Sequence, residues 1–274
     1  MDKILLIDLH NAIWRANIAF GSDKSGVDPN HIVIFNFFRN LRPIVEMFSP
    51  DKLFVILEGH PKFRYDLFPD YKANRIIKRA SKQETMDKFL SSKDEIVRLI
   101  GHLPITAARA SHFEADDVIA TLCDNMCDEE LTVLSNDSDY IQLLQRGYKS
   151  CRIYNPIKKV FMVAPAYPYI AWKCLNGDKS DNIPALLKPA KALKTINDPN
   201  LFKSFLEVEE SRANFNINRQ LIEFQSVPVE EILLQEGEKN FLLLKKAFEE
   251  MKFESITNDK SWAKYTQTFN CIKF

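Results

Sequence analysis

The sequence predicts an α/β fold with a mostly parallel central sheet flanked by helices, on three observations. Short apolar runs ending at an acidic residue alternate with longer stretches of helical spacing, the order expected of strand–helix–strand units. Strand-like runs stop near residue 165, and helical segments follow. Hydrophobic residues make up 46% of the 274 positions, enough to fill a large core.

Each element is read in order. KILLID (3–8) is a buried-type strand ending in Asp8, and 11–20 follows with helical spacing. Residues 30–47 form an apolar-faced helix with Pro43 as a candidate break. KLFVIL (52–57) is a second strand, ending beside Glu58. Helical patterns cover 84–101 and 114–127, then LTVLS (131–135) runs into Asn136-Asp137-Ser138-Asp139. CRIY (151–154) and VFMV (160–163) flank a turn-like NPIKK and are expected to pair as an edge hairpin. This gives an α/β core over 1–164 and an α-helical lobe over 165–274, with helices near 165–175, 189–196, 200–207, 214–224 and 238–251.

Bulk composition narrows the function. Only seven glycines are present and no phosphate-cradling glycine loop occurs, which excludes the common nucleotide-binding signatures. The five cysteines form no CxxC pair and the five histidines show no ligand spacing, so neither a zinc site nor a disulfide frame is expected. No apolar run reaches membrane-spanning length, and Met1-Asp2-Lys3 leads straight into a strand, so a cytoplasmic protein with no membrane contact is expected. The formal net charge is zero, but the charges are segregated.

The candidate chemistry lies in nine acids: Asp8, Glu58, Glu114, Asp116, Asp117, Asp137, Asp139, Asp178 and Asp181. Asp8 and Glu58 end strands, and Asp137 and Asp139 follow one. In open α/β sheets such positions converge on one crevice outside the carboxyl ends of the strands. Glu114, Asp116 and Asp117 open a helix, and Asp178 and Asp181 are expected on one face of a helical turn. Each alone reads equally well as a helix cap or an Asx turn. Together they would repel unless hard cations sat among them, and Mg²⁺ or Mn²⁺ prefers oxygen donors. Two such ions could activate a water and stabilise the leaving oxygen of a phosphodiester.

A basic segment follows Glu58. Lys62, Arg64, Lys72, Arg75, Lys78, Arg79 and Lys82 face only Asp66 and Asp70 across 62–82, with Tyr65, Phe68 and Tyr71 interleaved. Cations there would neutralise phosphates while aromatic rings stacked on bases. Lys72 and Arg75 are placed to meet the scissile phosphate. The bland alternative is a solvated helical face. A second row, Lys188, Lys191 and Lys194, could grip a duplex backbone, with the same alternative.

In their order, ILLIDLHNAIWRA, VILEGHPKFR, LFPDYKANR, FEADDVIATL, VLSNDSDYIQLL and GDKSDNIP resemble the structure-specific 5′ nucleases. That family includes the 5′-nuclease domain of bacterial DNA polymerase I, phage 5′-exonucleases and flap endonucleases. The likeness runs over roughly 3–200 and more faintly through NRQLIEF (218–224). It implies a helical arch over the site (here 62–95) and a helix-three-turn-helix duplex-binding lobe. It also implies that the nine acids hold two Mg²⁺ or Mn²⁺ ions, and that Asp8, Asp137, Lys72 and Arg75 serve catalysis. Arg64, Tyr71, Lys72, Arg75, Lys78 and Arg79 would then contact DNA, with Lys188, Lys191 and Lys194. The implied substrate is branched or 5′-ended DNA or an RNA–DNA hybrid, cut near the single-strand/duplex junction to leave a 5′-phosphate. A monomer working beside replication proteins is expected. Exonuclease and flap endonuclease activity are both open.

Two departures stand out. Glu58 occupies a position usually held by Asp, one methylene shorter. The glycine-rich hairpin expected after SDNIP is replaced by ALLKPAKALKTI, which removes close backbone approach to a phosphate. The rival readings are a non-catalytic DNA-binding scaffold of the same fold and a phosphatase using the same metals. Nine retained acids argue against the first, and a long basic segment argues against the second.

Overall fold

The computed structural model describes residues 1–18, 27–28, 30–75 and 83–273. Its centre is a seven-stranded sheet of order β6-β5-β4-β1-β2-β3-β7. The strands are Lys3–Asp8 (β1), Lys52–Leu57 (β2), Thr106–Arg109 (β3), Glu130–Leu134 (β4), Cys151–Asn155 (β5), Val160–Phe161 (β6) and Leu233–Glu236 (β7). Strands β1 to β5 run parallel, while β6 and β7 close the two edges antiparallel.

Period-two alternation sorts the central side chains. Leu5, Ile7, Leu53 and Val55 face one apolar layer, and Ile4, Leu6, Ile56 and Val133 face the other. The first layer is covered by Leu9–Ile18 (α1), Ile32–Phe48 (α2) and Gln83–Ile100 (α4). The second is covered by Ala115–Asn125 (α5) and Ile141–Leu144 (α6). Lys62–Leu67 forms the short α3. Pro43 lies inside an unbroken α2; its missing N–H costs one hydrogen bond without ending a helix whose apolar face is already buried.

Tyr169–Asn176 (α7), Pro189–Asn197 (α8), Pro199–Glu207 (α9) and Glu209–Ile222 (α10) form a helical unit with its own apolar cluster, which includes Tyr71. The expectation that strands end near 165 is corrected by β7, which pairs with β3. Its LLQE sequence does not alternate, and all four residues are exposed. Beyond it, Phe241–Glu250 (α11), Glu254–Thr257 (α12) and Asp259–Asn270 (α13) return to the first apolar layer through Phe248, Phe253, Tyr265 and Phe269. Strand β3 was also missed, because TAAR is too short and too poor in β-branched residues to stand out.

The topology places the site. From β1 the chain moves outward to β2 and β3, then crosses back to β4 on the other side of β1. The switch point therefore lies between the carboxyl ends of β1 and β4, where ligands bind in doubly wound sheets.

Candidate active site

Asp8 ends β1 at that switch point. It accepts from the Asn11 backbone N–H at 3.0 Å and from the Tyr140 hydroxyl at 3.2 Å. Burial, with Asp137 nearby, pushes its pKa up to about 6. One strand over, Glu58 accepts the Ala115 N–H at 3.0 Å, and burial together with Glu114 and Asp8 raises it to about 7. The next residue, Gly59, is required: an added Cβ would stand 2.1 Å from the Ala110 carbonyl oxygen. That close approach brings β2 against the start of α5, and Glu58 beside Glu114.

Glu114 is the N-cap of α5, and Asp116 lies in its first turn. The positive end of the helix dipole favours carboxylates there. Carboxylate oxygens of Glu114, Asp116 and Asp117 all lie within 4.8 Å of one another. Burial and its two acidic neighbours hold Asp116 well above the ordinary carboxylate range. Glu114 goes the other way: burial raises it, but Lys72 and Arg64 outweigh that and lower it. Asp137 is exposed just past β4, turned by the Ser135 hydroxyl and the Asp139 N–H.

Asp8, Glu58, Glu114, Asp116 and Asp137 thus form an all-oxygen donor set, with Lys72 and Arg64 as the cations beside Glu114. Three of its members are pushed up, by burial first and by neighbouring acids after it. A hard divalent cation fits such a set.

Asp117 shares that group of oxygens but is held by a cation of the chain itself. It is fully buried, and Arg64 grips both its oxygens, at 2.5 and 2.8 Å. The N–H groups of Glu114 and Gln225 complete its shell. The expectation that Arg64 contacts DNA is corrected. Only 2% exposed, Arg64 also donates to the carbonyl oxygens of Leu221 and Glu223, and lies 3.2 Å from Glu114. A buried guanidinium needs all its donors met, and here they tie α3, α5 and the end of α10 together instead of facing DNA.

Tyr71 likewise faces inward, its hydroxyl donating to Glu114 at 2.9 Å, so it is no base-stacking platform. Tyr65 stacks on His60 and meets Tyr71 edge-on. Lys72 and Arg75 do converge on the site: Lys72 donates to Glu114 and lies 3.8 Å from Asp181, and Arg75 pairs with Asp181. Lys72 has a left-handed backbone (φ 57°) and its N–H bonds the Asp181 carbonyl, which fastens the basic segment to the GDKSDN loop. Lys78 and Arg79 lie outside the described residues.

GDKSDN is not the helical turn its spacing suggests. Asp178 and Ile183 form an antiparallel bridge, and Asp178 accepts from the Ser180 N–H and hydroxyl. Gly177 enters the loop at φ 69°, where a Cβ would stand 2.6 Å from the Ala185 N and the Ile183 O. The two acids therefore part company. Asp181 turns to Arg75, while Asp178 meets Lys173 at 2.9 Å.

Lys173 also donates to Asp139, so it joins the two acids into one ion triad. Burial pushes Asp139 up to about 6, against the pull of Lys173, while Asp178 sits near 2 because Lys173 and Ser180 outweigh its partial burial. Sequence reasoning missed Lys173. Its signal was a lysine four residues from Tyr169 on the buried face of α7, otherwise lined by Tyr169, Cys174 and Leu175. Tyr140 was missed as well. Lys188, Lys191 and Lys194 are all exposed at the N-cap and along α8.

A family profile described as "5'-3' exonuclease, N-terminal resolvase-like domain" matches residues 3–167. A 5'-3' exonuclease of Bacillus subtilis is 30% identical over 264 residues, covering 83% of this chain and 85% of that protein. DNA polymerase I of Streptococcus pneumoniae is 29% identical over 205 residues, covering 68% of this chain; the chain spans only 22% of that polymerase. Among solved structures, T5 5'-exonuclease with bound divalent zinc superposes with a TM-score of 0.61 at 16% identity, covering 98% of each chain, a likeness of fold. With strand-end acids, a basic frame and these sequence matches in agreement, the chain belongs to the 5′-3′ exonuclease family.

Proposed function

We propose that this protein is a divalent-metal-dependent, structure-specific 5′ nuclease that hydrolyses DNA phosphodiesters near single-strand/duplex junctions. The observation that carries this reading is the gathering of Asp8, Glu58, Glu114 and Asp116 beside Lys72 and Arg75 at the switch point of the sheet. Asp8, Glu58, Glu114, Asp116 and Asp137 would hold one Mg²⁺ or Mn²⁺ ion; Asp139, Asp178 and Asp181 would hold a second. Bound there, the ions would supply a water activated for attack and charge to offset that building on the phosphate.

The rest is done by the chain. Asn11 and Tyr140 orient Asp8, and the Ala115 N–H orients Glu58. Lys72 and Arg75 are already in the site, and an entering phosphate offers them a partner in exchange for Glu114 and Asp181. The exposed row Lys188, Lys191 and Lys194 supports duplex binding in place of a glycine hairpin. Among the described residues no helix is long and apolar enough to cross a membrane. The reading carries with it a monomer acting in the cytoplasm beside replication proteins, on branched DNA or an RNA–DNA hybrid.

The test is cleavage of a 5′-labelled flap, a nicked duplex and a single strand, each with Mg²⁺, Mn²⁺ or EDTA. Metal-dependent cutting near the junction is expected. Tight, salt-sensitive binding without cutting in either metal would favour a DNA-binding scaffold and overturn the reading.

A further inference from the structure

Two short segments meet beside the acid cluster, and each has one residue in the left-handed backbone region. Lys72 stands at φ 57° within 70–75, and Asn182 at φ 63° at the end of the GDKSDN loop. Asparagine enters this region readily, because its short polar side chain bonds nearby backbone. A lysine has no such compensation, and it stays there only where its surroundings over-determine it.

Two of the restraints on Lys72 are local. The Ala73 N–H donates to the Asp70 carbonyl, and the Arg75 N–H donates to the Lys72 carbonyl. The others come from the loop. The Lys72 N–H donates to the Asp181 carbonyl at 2.9 Å. The Asn182 side-chain amide donates to the Asp70 carbonyl at 3.0 Å, and its oxygen accepts from the Asn74 side-chain amide at 3.1 Å. Asn182 therefore grips the chain two residues before Lys72 and two residues after it. The backbone is pinned on both sides of the strained position.

That position decides where two cations stand. Lys72 donates to Glu114, and Arg75 pairs with Asp181. If Lys72 relaxed to an ordinary φ, the chain would turn between them and draw both side chains off the acids.

We propose that Asn182 is a positioning residue: by bridging Asp70 and Asn74 it keeps Lys72 left-handed, and so holds Lys72 and Arg75 against the acid cluster. It acts through the backbone and not on the substrate. The inference rests on the nuclease reading for the phosphate that the two cations meet, while the bridge itself does not.

The test follows amide hydrogen exchange in EDTA at Lys72 and, as a core reference, at Val55. Cleavage of a 5′-labelled flap in Mg²⁺ is measured separately. Asn182→Gly leaves the left-handed backbone available and removes the bridge. Asn74→Ala, at an exposed position, removes one arm of the bridge and leaves the loop untouched. Asn182→Gly should speed exchange at Lys72 roughly ten-fold, a factor that one net hydrogen bond can supply, with Val55 unchanged. It should lower kcat by a similar factor while KM for the flap shifts less than about two-fold, since phosphate contacts elsewhere dominate affinity. Asn74→Ala should do both to a smaller extent. Unchanged exchange at Lys72 in Asn182→Gly, equal acceleration at Lys72 and Val55, or wild-type kcat despite faster exchange overturns the proposal. A wild type that cuts no flap fails the nuclease reading instead, and the exchange rates still decide whether Asn182 holds Lys72.

Discussion

Lys173 holds Asp139 and Asp178 together: its ammonium bonds the first and lies 2.9 Å from the second. Arg75 pairs with Asp181. The acids on this side of the site are therefore largely neutralised by the chain's own cations, whereas on the other side Lys72 and Arg64 both meet Glu114, and burial still holds Asp8, Glu58 and Asp116 up. Positive charge is wanted unequally across the cluster.

Lys173→Met should destabilise the metal-free protein by about 2 kcal/mol or more, a figure kept below that for fully buried pairs because the two carboxylates retain some exposure. Saturating Mn²⁺ should then raise the melting temperature of the variant more than that of wild type, since Asp139 and Asp178 are freed for a cation. Equal Mn²⁺-induced shifts would show that Lys173 does not compete for that position.

Arg64→Ala should cost about 3–5 kcal/mol in urea denaturation, because it strands Asp117 as a buried unpaired charge. Arg64→Lys should recover only part, since a point charge cannot reproduce the two-pronged grip. Where either variant folds, the salt dependence of DNA binding should match wild type; a shallower slope would return Arg64 to the DNA interface.

Asp137→Asn should lower cleavage on the order of a hundred-fold, about 2.7 kcal/mol of barrier. The side chain is exposed, so melting temperature and DNA affinity should stay near wild type. Full activity in the variant would remove Asp137 from the mechanism.

The raised acids set a pH dependence. Asp8, Glu58 and Asp139 have folded values of about 6, 7 and 6, above ordinary values of 3.8 and 4.5. Between about pH 4 and 7 the folded state therefore binds more protons than the unfolded state, and these groups make stability fall as pH rises. In EDTA their contribution should lower the melting temperature from pH 5 to pH 8, and divalent cation should restore it at pH 8 far more than at pH 5. A cation effect of the same size at both values would count against the acid cluster as the binding site.

Replacing Lys188, Lys191 and Lys194 together by Ala should flatten the salt dependence of duplex binding, by roughly 0.9 in logarithmic slope per lost phosphate contact. An unchanged slope and affinity would mean that the row is only a solvated face.

The sequence by itself determined the parallel core and where its acids would gather. KILLID, KLFVIL and ELTVL are apolar runs long enough to be strands, and a residue that ends a parallel strand must emerge at the sheet's carboxyl edge. Hence Asp8, Glu58 and Asp137 were legible as a set, although each alone reads as well as a cap or a turn. What only the tertiary structure decided is which charge meets which. Arg64 and Tyr71 lie in a basic, aromatic stretch that reads as a DNA surface, yet both turn inward, because Asp117 and Glu114 arrive from another element to satisfy them. Lys173 found Asp139 across 34 residues, and β7 found β3 with no alternation to announce it. Periodicity reports the side of an element that is buried; it carries no record of the partner waiting there. For a buried charge, that partner determines whether it binds, catalyses or holds the fold together.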